Sequence, residues 1–158
     1  MARRFEYAQA EEIRDAFAVE GVRYLFLGKS GAILLGYPDT TQDADLFLEK
    51  SEANGAATVA ALRRLGFELT AEQEAEIRRG KDFIQLKNGP FDLDLVFAPD
   101  GIPDFDRAWS RRVDVEGFPV CHPDDIIASK AAANRVKDRE VLPRLRAFRD
   151  YWLERKPR

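Results

Sequence analysis

The most constraining feature of this 158-residue sequence is a pair of short segments in which aspartate alternates with apolar or small residues. They read DADL at residues 43–46 and FDLDL at residues 91–95. A β-strand projects successive side chains to opposite faces, so each segment places two carboxylates on one side of a sheet and its apolar neighbours on the other. The alternation therefore predicts two strands, each with one face that carries carboxylates.

Carboxylates that cluster on one face favour a bound cation. Two of them about 4 Å apart repel each other by roughly 4 kcal/mol at an effective dielectric near 20, unless a proton or a cation intervenes. Asp43 and Asp45 in the first segment, with Asp92 or Asp94 in the second, are therefore candidate metal ligands. Alternation cannot choose between Asp92 and Asp94, because both point to the same face of their strand.

Length and composition indicate one domain, residues 1–158, with no membrane segment. No apolar run approaches the roughly 18 residues that a membrane span needs. The single Cys121 excludes an internal disulfide, and no apolar stretch of the secretory kind follows Met1. We therefore expect a protein of the reducing cytoplasm.

Charge is distributed unevenly along the chain. Residues 130–158 contain ten Lys and Arg against four Asp and Glu, a net +6, whereas residues 1–129 contain fifteen against twenty-four, a net −9. A basic segment beside an acidic body either receives phosphates or is a solvated helical face, and composition leaves both interpretations open.

Hydrophobic periodicity with breaking residues predicts an α+β fold, a small mixed sheet (core 22–121) followed by a C-terminal helical pair (122–156). Helices are predicted at residues 8–20, 32–35, 54–65 with Asn54 as the cap, 71–79, 103–111, 123–134 and 138–156. Strands are predicted at residues 22–27, 43–49, 67–69, 83–86 and 91–97, and on either side of Gly117 within 113–121. Asn88 and Gly89 predict a tight turn, so strands 83–86 and 91–97 are expected to form an antiparallel hairpin.

A glycine turn follows the first predicted strand, reading GKSG at residues 28–31. A turn between a strand and a helix presents free backbone N–H groups that bind phosphate, although such turns also occur as ordinary connections. It mimics the end of a Walker A loop, but that loop needs a glycine five positions before Gly28, where Arg23 stands. Twelve residues separate Ser30 from Asp43, so the turn is predicted to lie beside the first aspartate strand.

These two motifs together resemble the DNA polymerase beta-like nucleotidyltransferase superfamily. Its signature is an apolar residue, Gly, then Gly or Ser, followed after roughly ten residues by Asp, an apolar residue, Asp or Glu, and another apolar residue. LGKS at residues 27–30 and DADL at residues 43–46 are similar to that pattern.

The resemblance extends to minimal bacterial nucleotidyltransferases similar to abortive-infection toxins, over about residues 24–148. It is carried by GYP at residues 36–38, TQDAD at 41–45, DDIIASK at 124–130 and RVKD at 135–138.

This resemblance implies transfer of a nucleoside monophosphate from an NTP such as ATP to an acceptor hydroxyl on tRNA or a protein. It also implies a toxin–antitoxin or phage-defence setting with a cognate antitoxin. The implied metal ligands and catalytic groups, for two Mg²⁺ or Mn²⁺ ions, are Asp43, Asp45 and Asp94. The implied nucleotide-binding residues are Gly28, Lys29, Ser30, Lys130 and Asp138.

Three residues depart from the family pattern. If the alignment is anchored on Gly36, Lys29 stands where relatives carry a small residue, and it either contacts a phosphate or crowds it; if one residue of slack is allowed, Ser30 takes that position. Asp39 stands where relatives often have a basic residue. Pro143 interrupts a helix that relatives continue.

We interpret Asp92 as a solvated, outward-facing side chain.

Several alternatives stay open. The pair Lys130 and Asp138 is either part of the nucleotide site or an interhelix salt bridge. The protein is either an enzyme or a member of the same fold that binds a nucleotide or a partner without turnover, and a metal-dependent nuclease is a third interpretation.

Overall fold

The computed structural model describes residues 5–155, which form seven helices and six strands. The helices are α1 (Tyr7–Glu20), α2 (Gly28–Leu34), α3 (Glu52–Arg64), α4 (Ala71–Arg79), α5 (Phe105–Ser110), α6 (Pro123–Ala133) and α7 (Val136–Arg155). The strands are β1 (Tyr24–Leu27), β2 (Ala44–Leu48), β3 (Phe83–Leu86), β4 (Leu93–Val96), β5 (Val113–Val115) and β6 (Phe118–Val120). The α+β prediction is confirmed. The first residue of the predicted domain, Met1, and the predicted helix end at residue 156 lie outside the described residues.

All six strands belong to one mixed sheet in the order β3-β4-β2-β1-β6-β5. β1 runs antiparallel to β2, β2 runs parallel to β4, and β1 runs parallel to β6. The outer pairs β3–β4 and β5–β6 are antiparallel. Because β1 and β2 are antiparallel, the glycine turn at the end of β1 lies beside the start of β2, as the sequence predicted.

The sheet has one apolar face and one face that carries the carboxylates. A row of buried side chains crosses the apolar face in register: Phe26, Leu46, Leu95 and Ile84. Helix α1 packs on this side, where the ring centroids of Phe17 and Tyr24 are 4.8 Å apart. Burying each of these side chains contributes about 1.5–3 kcal/mol, which fixes the strand register and therefore the position of the opposite face.

The predicted strand at residues 67–69 is wrong. This segment is a connection between α3 and α4 without regular secondary structure. Phe67 is buried against the ring of Phe91, with the centroids 5.3 Å apart, so its apolar character reflects packing in the core rather than strand pairing. A Cβ atom at Gly89 would lie 2.2 Å from the Phe67 ring, so glycine is required there by close packing.

The predicted hairpin of β3 and β4 is confirmed, but the prediction of a tight turn at Asn88 and Gly89 is wrong. Residues 87–92 form a longer connection, and neither Asn88 nor Gly89 has a positive φ. The two-residue turn with positive φ occurs instead at Glu116 (φ 51°) and Gly117 (φ 83°), which join β5 and β6. The Phe67 ring against Gly89 accounts for the wider connection.

Asn54 is not the helix cap that the sequence predicted. Ser51 caps α3, accepting a hydrogen bond from the Asn54 backbone N–H at 3.1 Å. The Asn54 side chain accepts from the Arg23 N–H at 2.8 Å and donates to the backbone carbonyls of Arg23 and Glu49. It therefore ties α3 to the chain just outside β1 and β2.

The C-terminal helical pair is confirmed. α6 begins with Pro123 at a position where a missing N–H is tolerated, and ends at Asn134, whose φ of 52° is left-handed. α7 begins two residues earlier than predicted and continues through Pro143 instead of being interrupted there. Leu142 and Leu145 are buried on either side of this proline, and their packing holds the helix together.

Candidate functional site

Two aspartates from different strands lie directly opposite each other on the face of the sheet that carries the carboxylates. The parallel pairing of β2 and β4 puts Asp45 in register with Asp94. Leu27 at the end of β1 flanks Asp45, and Gln85 of β3 flanks Asp94. Asp43 precedes Asp45 by two residues. We call Asp43, Asp45 and Asp94 the carboxylate row.

An open cavity of about 860 Å³ covers the carboxylate row. Its other walls come from the glycine turn, from residues 40–42, and from the junction of α6 and α7. Of the eight site residues that the sequence and its resemblance indicated, seven line this cavity: Asp43, Asp45, Asp94, Gly28, Lys29, Lys130 and Asp138. Distant parts of the chain thus converge at one place.

The carboxylate row favours a bound proton or cation. Burial raises the pKa of Asp45 to about 8, and repulsion and hydrogen bonding from Asp94 add to this increase. Burial also raises the pKa of Asp94, although its hydrogen bond with Asp45 acts in the opposite direction. At neutral pH the pair therefore shares a proton when no cation is bound.

The donor set suits Mg²⁺. Within residues 5–155, no three His, Cys, Asp or Glu side chains form an already assembled metal site. However, Asp43 Oδ1 is buried and has no hydrogen-bond partner among the described residues. A divalent cation held by these residues would satisfy this oxygen and would neutralise the repulsion between Asp45 and Asp94, and hard cations prefer carboxylate oxygens. Asp43, Asp45 and Asp94 therefore fit the implied metal.

Gly28 brings the turn into direct contact with the carboxylate row. Its φ is 62°, in the left-handed region, and a Cβ atom there would lie 2.2 Å from Asp45 Oδ2. Both the backbone conformation and the lack of space require glycine at this position. The turn is thus fixed against the Asp45 carboxyl group.

Ser30 is the one indicated site residue that does not line the cavity. Its side chain is fully buried, donates a hydrogen bond to the Leu27 carbonyl at 2.8 Å and accepts one from the Asp45 N–H at 3.0 Å. The hydroxyl therefore fastens the glycine turn to β2. Through these two hydrogen bonds Ser30 positions the backbone of Asp45.

Two of the departures from the family pattern pair with each other. Lys29 Nζ lies 3.3 Å from Asp39 Oδ2, and Arg144 of α7 lies 3.8 Å from the same oxygen. The pKa of Asp39 is lowered chiefly by the hydrogen bond from the Thr40 N–H. Burial opposes this change, and Lys29 and Arg144 add to it. Lys29 is therefore held at the cavity wall with its charge partly balanced.

Lys130 and Asp138 join the two C-terminal helices beside the carboxylate row. Asp138 is fully buried, accepts hydrogen bonds from the Arg135 Nε at 2.7 Å and its backbone N–H at 3.1 Å, and lies 3.5 Å from Lys130 Nζ. Burial opposes ionisation of Asp138, but the Arg135 bonds and the Lys130 charge outweigh it and lower its pKa. Burial lowers the pKa of Lys130, while Asp45 and Asp138 oppose this change. The pair is thus both an interhelix salt bridge and part of the cavity wall.

The interpretation of Asp92 as a solvated side chain is wrong. Asp92 is only 7% exposed and lines the cavity. Its backbone carbonyl accepts a hydrogen bond from the Ala44 N–H, which places it at the start of β2 beside Asp43. The sequence could not show this contact because it depends on the parallel pairing of β2 with β4.

Sequence reasoning missed Phe83 and Gln85, which also line the cavity. The alternation in FIQL at residues 83–86 contained the signal. Ile84 and Leu86 are buried on the apolar face, so Phe83 and Gln85 point to the face of the carboxylate row.

Comparison with known proteins adds no family assignment. Neither a scan against models of protein families nor a search of curated proteins finds a match to this chain. Among the described residues, no helix is both long enough and apolar enough to cross a membrane. The nucleotidyltransferase resemblance therefore depends on the motifs of the sequence.

Proposed function

We propose that this protein is a metal-dependent nucleotidyltransferase that moves a nucleoside monophosphate from an NTP to an acceptor hydroxyl. The observation that supports this most directly is the register of Asp45 opposite Asp94, with Gly28 against Asp45 and Lys130 lining the same cavity. The cavity thus combines carboxylates, a close backbone turn and the ammonium group of a lysine. This combination matches the needs of phosphoryl chemistry, which depends on positioning and charge neutralisation.

Each part of the site has a role in this reaction. Lys29 and Lys130 bind the phosphates from two sides of the cavity. Asp43, Asp45 and Asp94 would hold the metal ions, which when bound would neutralise the triphosphate charge and lower the pKa of the acceptor hydroxyl. Asp94 accepts the proton of that hydroxyl as its oxygen bonds to the α-phosphorus and the bond to pyrophosphate breaks.

The proposal also extends to the acceptor, the cellular setting and the compartment. A tRNA or a protein supplies the hydroxyl, and the reaction takes place in the cytoplasm. A cognate antitoxin restrains the activity in the cell. The motif resemblance supports the toxin setting, and the cavity supports the NTP.

The proposal is tested by label transfer. Purified protein is incubated with Mg²⁺ and each α-labelled NTP, together with either total cellular RNA or cell protein, and the products are separated by mass. We expect label to become attached to one acceptor class. The Asp45→Asn variant keeps the size of the side chain but not its charge, and should lower the rate at least about 100-fold, as expected when a group acts mainly on the transition state.

Asp114→Asn is the matched control, because Asp114 is an exposed carboxylate on β5 outside the cavity. It should leave the rate unchanged. Shortened RNA without attached label would indicate a nuclease, and equal transfer by wild type and Asp45→Asn would contradict the proposal.

A second candidate is a nucleotide-binding protein without turnover. The proton shared by Asp45 and Asp94 satisfies that pair without a metal, and Lys29 is already paired with Asp39. Binding of labelled NTP without transfer to RNA or protein would favour this candidate.

A further inference from the structure

One aromatic side chain in the cavity has no role in the chemistry described above. Phe83 is 47% exposed, one of the more exposed large apolar side chains among the described residues, and it lines the cavity. Its neighbour Ile84 is buried on the opposite face. The exposure of Phe83 therefore comes from its strand register and not from a poorly packed core.

Phe83 forms an apolar wall next to the carboxylate row. It lies opposite Val96, which is partly exposed, one step along the sheet from the pair Gln85 and Asp94. Such a step of two residues spans about 7 Å along a strand. Ala98 extends this apolar wall at the same end of the cavity. A flat apolar surface thus stands within reach of groups suited to phosphate and metal.

Edge-to-edge pairing with a second copy is a poor explanation for this exposed residue. β3 is an edge strand of four residues, flanked by the exposed charges Lys81, Asp82 and Lys87. Short strands with charged flanks oppose the addition of another strand. A small ligand in the cavity accounts better for an aromatic ring at this position.

We propose that Phe83 is a stacking platform for a nucleobase. This inference rests on the proposed function, because a nucleotide combines a flat ring with phosphates. The cavity likewise combines an aromatic face with the charged side chains of Lys29 and Lys130. Gln85, exposed beside Asp94, supplies both a donor and an acceptor for the edge of the same base. The base belongs either to the NTP or to a nucleotide acceptor, and the two sources require the same surface.

The experiment compares binding of three probes to wild type and Phe83→Ala by calorimetry with Mg²⁺ present. The probes are ATP, inorganic triphosphate and a short single-stranded oligoribonucleotide. We expect Phe83→Ala to weaken binding of ATP or of the oligoribonucleotide about 5- to 150-fold, the range for loss of one base–aromatic stack. Binding of triphosphate should not change, and Phe83→Trp should bind the base-containing probe at least as well as wild type.

Tyr151→Ala is the matched control, since Tyr151 is 55% exposed on α7 and does not line the cavity. Weaker ATP binding assigns the stack to the NTP base, and weaker oligoribonucleotide binding alone assigns it to an acceptor base. Three results would overturn the inference. ATP and the oligoribonucleotide could each bind equally well to wild type and Phe83→Ala, or Phe83→Ala could weaken binding of triphosphate as much as binding of the base-containing probe. The third is that wild type binds neither ATP nor the oligoribonucleotide. Failure of the proposed function is recognised separately, as absence of label transfer while the Phe83→Ala binding defect persists.

Discussion

Asp45 connects the chemistry of the site with the stability of the protein. Its pKa of about 8 in the folded protein lies far above its ordinary value of 3.8. Between these values the folded protein keeps a proton that the unfolded chain has lost. The metal-free protein therefore loses stability as the pH rises from about 4 to about 8, by at most about 1.4 kcal/mol for each pH unit.

Unfolding by urea in the presence of EDTA, at about pH 5 and about pH 8, measures this dependence. We expect wild type to be less stable at the higher pH. Asp45→Asn cannot ionise and should show a smaller decrease. The same pH dependence in both proteins would show that another group is responsible.

Lys29 departs from the motif of the nucleotidyltransferases that the sequence resembles. Its ammonium group is held at the cavity wall by Asp39. If it binds a phosphate, Lys29→Ala should weaken ATP binding about 10-fold or more, the loss of one hydrogen bond to a charged group. Calorimetric titration with ATP and Mg²⁺ measures the change.

Lys81→Ala provides the control for this prediction. Lys81 forms a comparable ion pair with Glu76, at 2.9 Å, but does not line the cavity. This variant should bind ATP as wild type does. Unchanged binding in Lys29→Ala would mean that the lysine only balances Asp39.

The glycine turn is the local structure on which the site depends most. Both Gly28 and Gly21 have positive φ, 62° and 70°. A Cβ atom at Gly28 collides with Asp45, whereas a Cβ atom at Gly21 has no neighbour within 4 Å. Alanine substitutions at the two positions therefore distinguish the effect of backbone strain from the effect of displacing the Asp45 carboxylate.

We expect Gly21→Ala to lower the free energy of unfolding by about 1–2 kcal/mol through backbone strain, and to leave nucleotide binding unchanged. Gly28→Ala should carry the same strain and in addition displace Asp45, so that metal and nucleotide binding are lost. Urea unfolding and ATP titration of the two variants measure both effects. Normal ATP binding by Gly28→Ala would contradict the arrangement of turn and carboxylate.

The elements show what local sequence can and cannot specify. Alternation in residues 43–46 and 91–95 was enough to predict which face carries the carboxylates, because strand geometry alone determines it. The strand predicted at Phe67 and the turn predicted at Asn88 failed for one shared reason: the Phe67 ring packs against Phe91 and fills the space at Gly89. Such contacts join residues more than twenty positions apart, and local propensity does not contain them.

The complete fold determines which of the indicated residues meet. Composition and spacing predicted an α+β protein and one antiparallel partner for the second aspartate strand, but not that β2 is its other, parallel partner. That pairing sets Asp45 against Asp94 and buries Asp92. The pairing of Lys29 with Asp39 likewise required the chain to fold back on itself.

Binding of Mg²⁺ should stabilise the whole fold, since the ligands come from two strands that separate on unfolding. At about 100 times its dissociation constant, Mg²⁺ adds about 2.7 kcal/mol, which corresponds to about 5–10 °C in Tm for a chain of this size. Thermal unfolding with Mg²⁺ and with EDTA measures the shift. It should be strongly reduced in Asp45→Asn and unchanged in Asp114→Asn, and an equal shift in Asp45→Asn would place the metal elsewhere.

The parallel pairing of β2 with β4 also has a consequence for the timing of folding. Asp45 and Asp94 are 49 positions apart, with two helices and an edge strand between them. Closing such a long loop is slow compared with forming a helix or a hairpin. A nascent chain that has left the ribosome only as far as α4 already carries Asp43 and Asp45 but lacks Asp94, so the carboxylate row is completed only after β4 has emerged and paired with β2.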